Sequence, residues 1–332
     1  MELAMMGTGE GKILVGEGPF EGRSEPPAAG VAFYRNDFAL SEAEPWRVPA
    51  KAREISDLDG ILPGGAEALE TDWTEPDVEL FAAVFGEVTA AIRKGVIEKS
   101  VPVVTAHGAV RAGDPAGLLR ALAGVEAPLR PYAWMDGETG FAGASPERLF
   151  RAEGGRLETM ALAGTARREE RAAFAVDEKE IREHEFVAQT MLAKLSDLGM
   201  TRRHDREIMN LGGLVHFHSP IDVELYRDER IDDLIARLHP TPALGPLPRT
   251  GETMAQLLDW RDRLQCPRWF GAPFGVMRDG VFEAIVAIRM VAWDGSALRI
   301  PSGCGVIEES RLVNEWRELR LKREAVRAVF GA

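Results

Sequence analysis

The chain has 332 residues, 45% hydrophobic and 28% charged, and a net charge of −13. That balance excludes global disorder, and the acidic excess argues against a broad surface for nucleic acid or an anionic membrane. No run of about 18 apolar residues and no basic-then-apolar leader occurs, so no membrane span is expected.

Cys266 and Cys304 are the only cysteines, which excludes a disulfide scaffold and suits a reduced, cytoplasmic setting. At roughly 150 residues per domain, the length fits two domains or one large one.

The first 75 or so residues are rich in Gly, Pro and acid, with Ile13–Val15 and Val31–Tyr34 as short strand candidates. Gly7–Ile13 has the look of a phosphate loop, but its spacing fails and Ile13 stands where Ser or Thr should hold a metal. A helix is predicted from Pro76 to Lys94, because Phe81, Val84, Phe85, Val88, Ala91 and Ile92 recur every three or four residues before Gly95. Val101–Val104 reads as a strand, with Pro102 at its edge or start.

Hairpins are predicted at Gly154-Gly155, Asp279-Gly280 and Asp294-Gly295, each between apolar runs. The middle one carries a strand from Val281 to Arg289. Long helices are predicted over 177–198 and 309–330. Antiparallel hairpins mixed with helices, without regular βαβ alternation, make the fold class α+β.

His216 and His218 lie two apart on a strand, where they would face one way. A third metal ligand is not in view, so a structural or surface role is favoured. Glu180 and Glu183 share one helical face, as do Glu315, Glu318 and Lys322. Two such Glu pairs could clamp a hard cation through oxygen. From spacing alone, a solvated acidic face is the favoured reading. Lys99 and Glu147 would make a base and an acid if they met across a dry pocket, which spacing does not decide.

In order, the segments are Lys94–Lys99, Phe141–Leu149, Ala161–Ala166, Asp177–His184, His216, Leu238–Gly245, Phe270–Gly275, Ala287–Arg289, Gly303–Ile307, and Glu315–Glu318 with Lys322. Together they resemble the chorismate-utilising enzymes, which include isochorismate synthase, salicylate synthase and the synthase components of anthranilate and aminodeoxychorismate formation. The resemblance runs from about residue 80 to the end. It implies one large catalytic core over 76–332, with stacked antiparallel sheets, covering helices and a deep cleft. Residues 1–75 would be a short, divergent N-terminal part of the same fold.

The resemblance also implies roles. Glu183 and Glu318 would ligate Mg²⁺, supported by Glu180 and Glu315 directly or through water. Arg289 would pair with the enolpyruvyl carboxylate as a fork. Gly303 and Gly305 would offer backbone N–H groups, Gly164 and Thr165 would line the ring pocket, and Lys322 would approach the carboxylate and metal. His216 would face the ring; a satisfied core histidine is the equal alternative.

Lys99 stands where the ammonia-using members resemble one another in having Gln. It looks like the base that activates water for attack at ring C2, which requires its pocket to disfavour the ammonium. Glu147 falls on the general acid that protonates the departing C4 hydroxyl, which requires a raised pKa. Ala243 stands where salicylate-forming members have Thr, which favours release of isochorismate. Phe270 replaces a common substrate-contacting Tyr, and Ser100 and Pro102 replace the usual aliphatic run after the base.

The expected activity is therefore Mg²⁺-dependent conversion of chorismate to isochorismate, in a quinone or siderophore pathway. A monomer or weak homodimer is expected, with no glutaminase partner. The alternatives are a salicylate synthase, an aminating synthase and a non-catalytic chorismate-binding protein.

Overall fold

The computed structural model describes residues 1–9, 11–56, 61 and 69–331. The strands in chain order are β1 (Glu2–Gly9), β2 (Lys12–Arg23), β3 (Val31–Arg35), β4 (Trp46–Ile55), β5 (Glu70–Thr74), β6 (Val103–Ala112), β7 (Arg130–Asp136), β8 (Thr139–Ser145) and β9 (Arg148–Glu153). They continue with β10 (Arg156–Arg167), β11 (Gly199–Arg203), β12 (Glu207–Leu211), β13 (Leu214–Leu225), β14 (Pro273–Arg278), β15 (Val281–Val286), β16 (Met290–Asp294) and β17 (Ala297–Gly303). The helices are α1 (Val78–Arg93), α2 (Arg171–Phe174), α3 (Glu178–Leu195), α4 (Ile231–Leu238), α5 (Gly251–Arg263) and α6 (Leu312–Phe330).

Antiparallel pairings join these strands into one continuous network. Its path runs β5–β6–β17–β16–β8–β7–β1–β2. It then turns through the long strands β2 and β4 into β3–β14–β15–β9–β10–β13, with β11 and β12 both on β13. The turn follows a register shift in β2 between Glu17 and Phe20, the kind of irregularity that bends a strand. The α+β class follows from this antiparallel sheet with helices packed outside it.

The two arms face each other through aromatic side chains. Tyr132 and Phe141 on the first arm lie 5.8 and 5.7 Å, ring to ring, from Phe274 on the second. Alternation along β7 sends Tyr132 and Trp134 into this inner core and Ala133 and Met135 into a second core on the outer face. That outer face is closed by Leu118, Leu119 and Leu122 of a 3₁₀ segment and by Val326 and Phe330 of α6.

Local chemistry sets the helix ends. Asp77 precedes α1 as its cap, accepting from the Glu79 amide, and so stands outside the first turn. Asp177 caps α3 by accepting from the Glu180 amide. The last helix starts at Leu312, three residues later than predicted, because Ile307–Ser310 closes a turn with the Ile307 amide bonded to Ser310 Oγ.

The strand predicted over Val101–Val104 begins at Val103, beyond Pro102, and continues to Ala112. Gly7–Ile13 is no phosphate loop: its described residues belong to the β1–β2 pair, with Glu10 outside the described residues.

Candidate active site

A cavity of about 660 Å³, counted to its open mouth, lies between the two arms and α6. Twelve residues singled out in the sequence line it: Glu147, Gly164, Thr165, Glu183, His216, Ala243, Phe270, Arg289, Gly303, Gly305, Glu318 and Lys322. Glu180 and Glu315 line an adjoining depression that shares Thr165 and Glu318 with the cavity. Lys99 lies just behind the wall, fully buried, its Nζ 3.2 Å from Glu183 Oε1. Gly305 permits this closeness: a Cβ there would overlap Glu183 Oε1 and come within 3.0 Å of Lys99 Cε.

Glu147 occupies the link between β8 and β9. Ser145 Oγ accepts from the Glu147 amide and donates to the Val286 carbonyl at 2.6 Å, and the Val286 amide returns a bond to the Glu147 carbonyl. The side chain is thus fixed on both flanks. Burial pushes the Glu147 carboxyl up to about 7, against the pull of the Thr241 hydroxyl and the Lys99 and Lys322 charges. Desolvation wins because the carboxyl is only 3% exposed. Thr241 Oγ1 donates to Glu147 Oε1 at 2.7 Å, leaving the other oxygen to carry a proton toward the cavity.

Arg289 follows β15 with φ of 55°, an uncommon conformation for a bulky residue. The strand predicted to Arg289 stops earlier, at Val286, where the Ile288 amide turns back onto the Val286 carbonyl at 2.8 Å. The Ala144 amide bonds the Arg289 carbonyl and holds the bend. Arg289 Nη2 lies 3.0 Å from His216 Nε2, and His216 Nδ1 lies 2.6 Å from the Gly164 carbonyl.

Since a carbonyl only accepts, Nδ1 carries the ring proton and Nε2 accepts from the guanidinium. Burial, and then the Arg289 and Lys322 charges, hold His216 well below its usual range, so it stays neutral. Arg289 itself is lowered to about 10 by burial and remains a cation at neutral pH. His216 therefore meets both readings, a satisfied buried histidine and a wall of the cavity. His218 pairs instead with Glu207 at 2.8 Å and lines a different cavity, so the two histidines share no metal.

Gly164 and Thr165 sit where β10 breaks register against β13, between Ala163 and Ala166. Gly164 has φ of 75°, which glycine adopts freely. The bulge turns the Thr165 amide toward Glu180 Oε2, 2.9 Å away. Lys322 Nζ donates to the Gly303 carbonyl at 2.8 Å and pairs with Glu318 at 2.6 Å.

The carboxylates of α3 and α6 converge as their spacing allowed. Among the described residues, however, no three of His, Cys, Asp or Glu stand as a ready metal cluster. The ammonium of Lys179 lies among them, 2.9 Å from Glu180 Oε1, 3.2 Å from Glu183 Oε2 and 3.4 Å from Glu315 Oε1.

Burial, with neighbouring carboxylate charge, raises both Glu180 and Glu315. Burial also acts to raise Glu183, but Lys99, Lys179 and Lys322 outweigh it and hold that carboxyl low. A set of four carboxylates, Glu183 and Glu315 buried and Glu180 and Glu318 half-buried, is chemically suited to a hard divalent ion. Thr241 and Lys179 were not singled out in the sequence. Thr241 is hidden between two prolines in a loop, and Lys179 reads as an ordinary i,i+4 partner of Glu183.

The family model described as "Chorismate binding enzyme" matches residues 62–331, and the chain belongs to that family. It is 32% identical over 209 residues to the isochorismate synthase MenF of Bacillus subtilis, covering 59% of this chain and 43% of that protein. It is 28% identical over 299 residues to the salicylate biosynthesis isochorismate synthase of Pseudomonas aeruginosa, covering 86% of this chain and 60% of that protein. It is 31% identical over 202 residues to the isochorismate synthase EntC of Escherichia coli K12, covering 57% and 50% respectively.

The chain thus spans about half the length of the curated relatives it matches. The structure of MenF, the menaquinone-specific isochorismate synthase from Escherichia coli, superposes with a TM-score of 0.79 at 20% identity, covering 99% of this chain and 89% of that one. Anthranilate synthase component I from Streptococcus pneumoniae gives 0.68 at 16% identity, covering 92% and 82%. At these identities the two structures speak for the fold. No helix among the described residues is long and apolar enough to cross a membrane.

Proposed function

We propose that the chain is a Mg²⁺-dependent isochorismate synthase, adding water at C2 of chorismate with loss of the C4 hydroxyl. The observation that carries this reading is a buried acid in the cavity wall and a buried amine just behind that wall: Glu147, with a carboxyl raised to about 7, and Lys99 behind Glu183 and Gly305. Glu183, Glu318, Glu180 and Glu315 would hold Mg²⁺, which when bound supplies positive charge against the ring carboxylate.

Arg289, aimed by His216, pairs with the second carboxylate of the substrate. Lys99 takes a proton from water as its oxygen bonds to C2. The diene electrons shift around the ring, and the C4–O bond breaks. Glu147 protonates the departing oxygen, which leaves as water. Water enters and water leaves, so the net change is isomerisation. Lys99 Nζ bonds Glu183 Oε1 at 3.2 Å, so base action requires that pair to open and the amine to give up its extra proton to solvent before it takes one from water. Ala243 and Leu244 give the cavity an apolar flank beside Glu147, consistent with release of isochorismate before elimination.

Incubation with chorismate and Mg²⁺, followed by chromatography, tests the proposal. Isochorismate is expected, with no pyruvate and no dependence on ammonium. Salicylate with stoichiometric pyruvate, an aminated product, or binding without turnover would overturn it.

The pH profile tests the acid. An acid must be protonated to act, so kcat/KM is expected to fall as pH rises through about 7, where the Glu147 carboxyl ionises. The Thr241 hydroxyl favours the carboxylate. Thr241→Val is therefore expected to move that fall to higher pH and to cost about tenfold in kcat/KM through lost positioning. An unshifted profile would separate Thr241 from the acid.

A further inference from the structure

Lys179 is the one member of the cavity's charge system to which the catalytic reading gives no task. It is the second residue of α3, and its Nζ contacts oxygens of Glu180, Glu183 and Glu315, which come from two helices. An ammonium gains nothing from a helix N-terminus, where the macrodipole is positive, so the carboxylates alone keep it there. The remaining ammonium groups are engaged elsewhere: Lys99 on the other oxygen of Glu183, and Lys322 on Glu318.

A divalent cation that used Glu183 Oε2 and Glu315 Oε1 would have to stand where Nζ now stands. Lys179 also lines the adjoining depression, together with Glu170, Asp177 and Glu309. That depression opens to solvent and gives the displaced ammonium room, although Arg311 and Arg317 also line it and Glu170 and Glu309 are already paired with Arg317 and Arg182.

We propose that Lys179 is a tethered cation that holds the α3 and α6 carboxylates together before metal binds and must swing out of them for a divalent ion to enter. Metal affinity is then set by exchange of one cation for another. The tether spares the protein a cluster of uncompensated buried carboxylates while Mg²⁺ is scarce. The inference rests on the Mg²⁺-dependent reading above.

The test uses the full chain and Mg²⁺ alone, without substrate. Lys179→Met is expected to bind Mg²⁺ about tenfold more tightly than wild type by isothermal titration calorimetry, since no competing cation has to be displaced. Removing a positive charge would itself favour metal, so a second measurement follows the wild-type side chain. Acetylation with peptide mapping is expected to label Lys179 more strongly when Mg²⁺ is present, with exposed Lys51 unchanged. Equal affinities, or Lys179 labelling that does not move on Mg²⁺ binding, would overturn the tether and leave the metal reading standing. Absence of Mg²⁺ binding by both proteins would overturn the metal reading and the tether with it.

Discussion

Glu147→Gln is expected to reduce chorismate turnover by about 10²- to 10⁴-fold, the usual contribution of a positioned general acid. The substitution is nearly isosteric. The Thr241 hydroxyl can still donate to the amide oxygen, and the backbone bonds through Ser145 and Val286 are untouched. The loop should therefore keep its shape and the protein its thermal stability.

What disappears is the proton that burial keeps on the carboxyl up to about pH 7. The loss should fall on kcat with little change in KM, since the proton is used as the C4–O bond breaks. The alkaline limb of the pH profile should vanish with it. Steady-state kinetics across pH would show both effects; retention of turnover within about tenfold would remove Glu147 from the acid role.

Lys99→Gln is expected to be comparably severe, again by about 10²- to 10⁴-fold, through loss of the base that activates water. The site should survive the change. Glu183 remains within the field of Lys322 and is held by Lys179 at 3.2 Å until a metal takes that place, so the carboxylate is not left bare. Arg289 and His216 hold each other at 3.0 Å independently of Lys99 and stay in place. Chorismate affinity measured by calorimetry in the presence of Mg²⁺ should thus stay close to wild type while turnover collapses. Equal losses in binding and turnover would assign Lys99 to packing or charge balance.

How much of this was legible in the sequence depended on the local signal. The hairpins at Gly154-Gly155 and Asp279-Gly280 were readable because positive-φ turns demand those residues, and the third lies one residue on from the predicted pair, at Gly295-Ser296, with Asp294 still paired to Ala297. Helices α1, α3 and α6 were readable from three-to-four spacing, whereas α2, α4 and α5 were not predicted. The first strand was not, because it is buried on both faces: Ala4 and Met6 face the inner core, Leu3 and Met5 the outer one. A strand covered on both sides shows no alternation, and a short apolar run then carries no period to detect.

The site was legible through resemblance and not through spacing. The two Glu pairs, read alone, favoured a solvated face; in the structure Glu183 and Glu315 are 7% and 1% exposed. Spacing shows which side chains share a face, but not what that face packs against. The link from Thr241 to Glu147 spans 94 positions, and no local pattern encodes such a contact. The left-handed backbone of Arg289 is similarly silent in sequence, since arginine is not a residue that signals it.

The central claim is that Lys99 delivers solvent water to one carbon while Glu147 releases a hydroxyl from another. Brief turnover of chorismate in ¹⁸O-water with Mg²⁺, stopped well before equilibrium and read by mass spectrometry and ¹³C NMR, tests it most directly. One solvent oxygen on C2 of isochorismate, with unreacted chorismate still unlabelled, is the expected result. Isochorismate formed without solvent oxygen would contradict the account, because its hydroxyl would then have migrated within the molecule and no water-activating base would be required.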